Sequence, residues 1–203
     1  MFNKLKSYWP HLAMVLAFFC IVLFLFFPAF QGKKIQQSDT VQAMGVNKEI
    51  VDYRESNGEE PLWTNQIFGG MPTFMLTTTY PGDMPMMLRW GLSLGIPWPV
   101  CIIFMSFLSF YVLMLVMKVD FRLAGIAALA FGLATYGFLL LEAGHNTKAL
   151  AIAFMPGVLA GVWLGLKGNI WKGAWVTGLF TMMEVHANHP QITYYLLMIL
   201  FLF

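Results

Sequence analysis

Long apolar blocks separated by short polar stretches organise this sequence. They lie at approximately residues 10–30, 97–117, 121–141, 147–166, 169–185 and 191–203. A helix needs about 20 apolar residues to cross a bilayer, and most of these blocks reach that length. The pattern predicts an all-α, polytopic transmembrane helix bundle with about six spans. Because the last block stops within an apolar run, we expect the sequence to be the N-terminal part of a longer protein.

Composition agrees with a membrane location. Hydrophobic residues make up 59% of the chain and charged residues only 11%, whereas soluble domains have about half and about a quarter. This excludes an ordinary water-soluble domain. The formal net charge of +2 is too small to indicate a nucleic-acid partner.

The distribution of charge predicts the orientation. Basic residues flank the spans at alternate ends, and the positive-inside rule makes those ends and the N-terminus cytoplasmic. The loop at 31–96 and the turns near residues 142–148 and 184–191 then lie on the opposite face. The basic residues used are Lys4, Lys6, Lys118, Arg122, Lys167 and Lys172.

The loop at 31–96 holds 12 of the 22 charged residues of the chain. A loop this long is uncommon unless it is functional. Apolar residues at helical spacing predict an amphipathic juxtamembrane helix over 40–55. Asp39, with Gln42 three residues later, has the form of a capping box at its start.

Further along this loop, Gly69 and Gly70 predict tight turns in the aromatic segment 61–72. Trp63, close to Asn65, could offer a flat apolar face to a sugar ring. Tryptophan is also a common membrane anchor, and both interpretations stay open. Arg89 follows three methionines that indicate a flexible interfacial surface.

Asp39 is the candidate catalytic residue. A carboxylate just behind the first span can meet a lipid-linked substrate at the bilayer surface, either as general base or as ligand of a divalent cation such as Mg²⁺ or Mn²⁺. The alternative is a purely structural helix cap, worth about 1 kcal/mol. One residue could serve both purposes.

Two polar turns complete the candidate site. In the first, Asn146 can cap the next span, whose N-terminus and Lys148 would favour a phosphate; snorkelling of Lys148 is the alternative. In the second, the histidines could ligate a metal, contact a phosphorylated substrate or form a structural turn. The other candidate residues of these turns are Glu142, His145, Glu184, His186 and His189.

Small residues in the fourth span have a structural interpretation. Gly157, Gly161 and Gly165 recur every four residues and predict a smooth stripe for close helix packing. Pro156 predicts a kink in the same helix.

Four features together resemble the YfhO family of bacterial multispanning membrane proteins. They are Asp39 behind the first span, the Leu-Trp-Thr-Asn-Gln-Ile-Phe-Gly-Gly-Met-Pro segment at 62–72, Gly-His-Asn-Thr-Lys at 144–148 and His-Ala-Asn-His-Pro-Gln at 186–191. That family is similar to GT-C glycosyltransferases, which transfer a sugar from a polyprenyl-phosphate carrier to an envelope acceptor. The resemblance implies a GT-C-like fold in the bacterial cytoplasmic membrane, with an extracytoplasmic active face and Asp39 as base or metal ligand.

The leading hypothesis is therefore a membrane glycosyltransferase. Asp39 would be the base, Lys148 and Arg89 would bind the carrier phosphate, and His145, His186 and His189 would line the site. A departure from the family pattern concerns metal, because no second acidic residue stands beside Asp39. The alternatives are a non-enzymatic transporter or lipid flippase, or a structural membrane protein.

Overall fold

The computed structural model describes residues 2–77 and 82–202, and for residues 2–7 it describes the backbone only. Helices dominate this part of the chain. The segment between residues 58 and 77 adds a short antiparallel hairpin and a 3₁₀ turn at Thr73–Met75. The elements are α1 Phe2–Leu25, α2 Phe27–Phe30, α3 Ser38–Val46, α4 Lys48–Asn57, β1 Trp63–Thr64, β2 Met71–Pro72, α5 Met84–Leu92, α6 Cys101–Val116, α7 Phe121–Gly132, α8 Thr135–Ala143, α9 Asn146–Leu166, α10 Ile170–His186 and α11 Pro190–Leu202.

Helix α6 is the centre of the bundle and packs against α1, α7 and α9. Nearly every side chain over its first two turns is buried, because apolar residues occupy all sides of the helix. The ring of Phe18 in α1 lies 5.2 Å from that of Phe107 and 5.6 Å from that of Tyr111. These contacts hold the first helix against the centre.

The predicted glycine stripe is confirmed at the interface of α9 and α10, which is the most extensive helix contact of the described chain. A Cβ on Gly157 would overlap the ring of Phe180, and one on Gly161 would lie 2.7 Å from Cα of Thr177. A Cβ on Gly173 would lie 2.7 Å from Cα of Gly165. The small residues let the two helix backbones approach closely.

Two described helices are long and apolar enough to cross a membrane, Tyr8–Leu25 within α1 and Asn146–Leu166. A third candidate is the pair α7 and α8, which together correspond to the predicted span 121–141 and bend by 40° at their junction. Helices α6 and α11 are apolar but shorter. The fold is therefore mostly helical with two or three candidate spans. The prediction of six crossings stays a prediction.

The predicted helix over 40–55 is wrong in detail. It is divided into α3 and α4 at Asn47, which ends the first helix and begins the second. Of the residues whose helical spacing made the prediction, Ile50 is buried, whereas Ala43 and Tyr53 are exposed. Periodicity alone could not show the break, because it does not report how each half packs.

Connectivity places all polar candidates at one end of the bundle. Helix α6 begins there, α8 ends there, α9 begins there and α10 ends there. We call this the polar end. The basic residues Lys118, Arg122 and Lys167 belong to the connections at the opposite end.

Candidate functional site

A carboxylate–imidazole pair joins the first loop to the first polar turn. Nδ1 of His145 donates to Oδ2 of Asp39 over 3.0 Å, and both side chains are about half exposed. The second oxygen of Asp39 has a long 3.5 Å contact from the Ser38 hydroxyl. One carboxylate oxygen is therefore oriented by the imidazole, while the other has only the long contact from Ser38.

Gly144 makes this approach possible. It ends α8 with a φ of +97°, a left-handed conformation that favours glycine. A Cβ at this position would lie 3.1 Å from Cβ of Asp39 and 3.2 Å from Cβ of Gln37. The turn therefore needs glycine for its backbone conformation and for the space that α3 occupies.

Two buried side-chain amides, those of Gln37 and Asn146, also hold the start of α3 against the first polar turn. Gln37 and Asn146 exchange two side-chain hydrogen bonds of 3.0 and 2.9 Å, and both residues are buried. Gln37 also donates to the carbonyl of Leu141 and accepts from the hydroxyl of Thr40. The amide nitrogen and the amide oxygen of both side chains therefore have hydrogen-bond partners inside the protein.

This pair corrects two cap predictions. Gln37, not Asp39, precedes α3, and Asp39 lies within the first turn without a capping hydrogen bond. His145, not Asn146, precedes α9, and the side-chain amide of Asn146 bonds to Gln37. The acidic side chain of Asp39 remains favourably placed near the positive end of the α3 dipole.

A second carboxylate–imidazole pair ties the loop to the other polar turn. Nε2 of His186 donates to Oδ2 of Asp83 over 2.9 Å. Asp83 also caps α5 by accepting from the Met86 amide at 2.9 Å. The Met86 amide and then the His186 ring hold the pKa of Asp83 below its usual value. Sequence reasoning missed Asp83, although an aspartate two residues before a proline at a helix start is a recognisable cap signal.

A cavity of about 770 Å³ lies between α5 and the two polar turns. Its walls include the Asp83–His186 pair, Arg89 and Thr147. The guanidinium of Arg89 stacks over the ring of Trp98 at 4.7 Å. The cavity therefore combines an apolar wall with one cation and a hydrogen-bonded imidazole.

His189 belongs to the second polar turn, and its ring reaches the first. Its Nδ1 is 3.5 Å from the hydroxyl of Thr147, which lines the cavity. Its Nε2 is buried and has no hydrogen-bond partner among the described residues. Partial burial, followed by the nearby Lys148 and His145, lowers the pKa of His189. A neutral ring is therefore favoured here.

Lys148 extends from the first turn of α9 over the ring of Tyr136, with its Nζ 5.6 Å from the ring centre. Within the described chain, neither Lys148 nor Arg89 has a carboxylate at ion-pair distance. Aromatic rings hold both cations in place while their charge stays available to an anion.

Trp63 and Asn65 lie in the hairpin, away from this cavity. Nε1 of Trp63 donates to Asn65 at 3.2 Å, and its ring covers Gly70, where a Cβ would lie 2.6 Å from Nε1. Glu49 of α4 accepts from the Thr64 hydroxyl at 2.6 Å, and that bond lowers the pKa of Glu49. These contacts fix the orientation of the Trp63 ring, which is 55% exposed, so its role as anchor or sugar contact stays a prediction.

The two remaining glutamates have different surroundings. Glu142 lines a separate cavity of about 740 Å³ beside α3, which Ser38 also lines. Glu184 is fully buried in the last turn of α10, and both its oxygens accept from Thr193 of α11. Its carboxylate faces α11, and it does not line the cavity that Arg89 shares with His186.

A divalent-cation site does not fit the described residues. They contain no group of three or more histidine, cysteine, aspartate or glutamate side chains arranged to hold a metal ion. Asp39 is paired with an imidazole, and a second carboxylate is not part of that pair. We therefore derive no step through a metal.

Comparison with known proteins returns no match. No protein-family model, curated protein or solved structure is significantly similar to this chain. The resemblance to the YfhO family rests on the sequence motifs alone.

Proposed function

We propose that this chain carries the active face of a membrane glycosyltransferase that takes a sugar from a polyprenyl-phosphate carrier and transfers it to a cell-envelope acceptor. The observation that supports it best is the Asp39–His145 pair, whose open carboxylate oxygen stands beside a cationic turn. The motif resemblance to the YfhO family, which is similar to GT-C glycosyltransferases, supports the same class. One fold can have many functions, so the proposal depends on the chemistry of the Asp39–His145 pair.

In the proposed reaction, an acceptor hydroxyl attacks the anomeric carbon of the sugar. The carbon–oxygen bond to the carrier phosphate breaks as the new glycosidic bond forms, and the configuration inverts. The hydroxyl proton passes to the open oxygen of Asp39, while His145 holds the other oxygen in place. The leaving group is polyprenyl phosphate, which departs with the bonding electrons.

Cations stabilise that leaving group. Lys148 and Arg89 are held on aromatic rings, and His186 lines the same cavity as Arg89. Positive groups aimed at charge that develops on a phosphate oxygen lower the barrier to its departure. Basic residues at the opposite end of the bundle, read with the positive-inside rule, support a position of this site on the outer face of the bacterial cytoplasmic membrane.

The test is transfer from a panel of synthetic polyprenyl-phosphate monosaccharides by the full chain in envelope vesicles. Asp39→Asn keeps the shape of the side chain and removes its basicity, so we expect transfer to fall by about a hundredfold or more. Asp52→Asn is the matched control, because Asp52 is an exposed carboxylate of α4. Equal rates for the two variants would refute the role of Asp39, and absence of transfer with every donor would refute the enzyme.

A transporter or flippase is the second candidate, and Glu184 is the observation that favours it. Glu184 is fully buried in the last turn of α10; burial of a carboxyl is costly, and ionisable residues buried in membrane proteins often mark a transport pathway. Glu184→Gln should then stop movement of a fluorescent polyprenyl-phosphate analogue across vesicles while leaving its binding unchanged. Unchanged movement would remove this candidate.

A further inference from the structure

Helix α5 has an unusual arrangement of polar and apolar faces. Its exposed face consists of Met84, Met87 and Trp90, which are 67%, 70% and 78% exposed; Met84, at the start of the helix, also borders the cavity. Arg89, the one charged residue of the helix, lies on the other side and lines the cavity. A helix on a protein surface in water has the opposite arrangement, with its charge outward. The exposed face of α5 therefore suits an apolar medium.

The connection to α6 holds α5 near the apolar bundle. Only residues 93–100 separate the two helices, and Ile96 and Val100 in this segment are buried in the core. Leu88 also packs against that core from within α5. The helix therefore cannot move away from the end of the bundle at which α6 begins.

The apolar face continues past the end of α5 towards α6. Leu94, two residues past the end of α5, is 56% exposed, whereas the Trp98 ring lies under Arg89 on the cavity side. Tryptophan is enriched where a membrane protein passes through the lipid headgroups, because its ring is apolar and its indole N–H can reach water. Met side chains adapt to irregular apolar surroundings. This continuity indicates lipid as the partner of the face.

We propose that α5 is an interfacial helix whose Met84, Met87 and Trp90 face enters the bilayer on the side where α6 begins. This role differs from the one expected for the segment 40–55, which the sequence pattern placed at the membrane surface. The opposite face of α5 lines the cavity, so the cavity lies at the depth of the headgroups. The proposal does not depend on which reaction occurs there.

Spin labels at single cysteines test it in the full chain reconstituted in phosphatidylglycerol–phosphatidylethanolamine vesicles. Cys20 is exposed and is replaced by alanine, while Cys101 is buried and stays. The test label replaces Met87. Collision of each label with oxygen, which concentrates in lipid, is compared with collision with a water-soluble nickel chelate.

Two further labels calibrate the result. Leu16→Cys in the candidate span Tyr8–Leu25, 62% exposed in the structure, gives the lipid reference, and Ser56→Cys at the exposed end of α4 gives the water reference. We expect the oxygen-to-nickel collision ratio of the Met87 label to exceed that of the Ser56 label several-fold and to approach that of the Leu16 label. A ratio equal to the water reference would overturn the proposal. Protection of the Met87 label from both reagents would also overturn it, because a protein partner or a second copy would then cover the face.

A second measurement covers a failure of the labelled protein to fold. Bromine-labelled lipids quench only tryptophans that they touch, so the Trp90→Phe variant should lose a quenchable fraction of its fluorescence. Trp63→Phe on the hairpin is the matched control and should leave the quenchable fraction unchanged. Equal effects of the two substitutions would contradict insertion of α5.

Discussion

Replacing Gly144 with alanine tests how the first loop is held against the first polar turn. The backbone there has a φ of +97°, and a left-handed conformation costs a residue with a Cβ about 1–2 kcal/mol. The new Cβ would also lie 3.1 Å from Cβ of Asp39 and 3.2 Å from the Thr40 amide nitrogen. Crowding of a packed site typically costs a further ~1–3 kcal/mol. We expect Gly144→Ala to destabilise the protein by about 2–5 kcal/mol in total.

Gly168→Ala is the control that separates the two contributions. Gly168 has a similar φ of +91°, but a Cβ there would meet nothing within 4 Å. Its substitution should therefore cost only the conformational part, about 1–2 kcal/mol. Unfolding by titration with SDS in mixed micelles measures both variants.

Hydrogen exchange followed by mass spectrometry shows where the damage lies. In Gly144→Ala, peptides covering residues 36–47 should exchange faster, because α3 must move away from the turn. In Gly168→Ala those peptides should be unchanged. Equal destabilisation by the two substitutions, with unchanged exchange in 36–47, would refute the close approach of Asp39 to this turn.

Three further predictions concern other contacts. Gly161→Ala places a Cβ against the backbone of Thr177 and should destabilise by about 1–3 kcal/mol, whereas Gly178→Ala in open space should stabilise by up to about 1 kcal/mol; thermal unfolding in detergent compares them. Gln37→Ala leaves the Leu141 carbonyl of α8 and the Asn146 side chain of α9 without partners and should destabilise the protein by about 1–3 kcal/mol. Gln36→Ala changes an exposed neighbour and should be near neutral. A titration with SDS compares the two variants. The pKa of His189 is lowered in the folded protein, so the unfolded chain binds the proton at higher pH and stability should fall as pH drops below about 6.5. His189→Gln should reduce that fall in unfolding midpoints measured from about pH 7.5 to 5.5. An identical pH profile for the variant would refute this prediction.

The sequence predicted well wherever a pattern depends on neighbours along the chain. Apolar block length indicated a helical membrane-type fold, and the four-residue spacing of Gly157 and Gly161 predicted a close helix interface that the structure contains. Helix periodicity and small-residue stripes are local properties, so they can be read without knowing the fold. The polar residues of the turns also stand out as a group in the sequence, because polar side chains between apolar segments are conspicuous; their role stays a prediction.

Pairings across the fold were a different matter. Gln37 lies 109 residues from Asn146, and Asp83 lies 103 residues from His186. No spacing rule connects residues so far apart. The neighbours of Asp39 in the sequence favoured a helix cap, but in the structure Gln37 precedes α3 and Asp39 lies in its first turn. The tertiary structure also decided which surface helix exposes an apolar face, since exposure depends on what packs behind the helix.

The sequence by itself thus determined that the chain is mostly helical with apolar helices of membrane-spanning type, and it showed which turns between them are polar, because hydropathy and charge are properties of neighbouring residues along the chain. Only the tertiary structure decided the partners: Asp39 with His145, Asp83 with His186, and Arg89 turned inward. The physical reason is that each pairing depends on helices packed at close distance, and that distance is set at positions such as Gly144 by the absence of a single side chain.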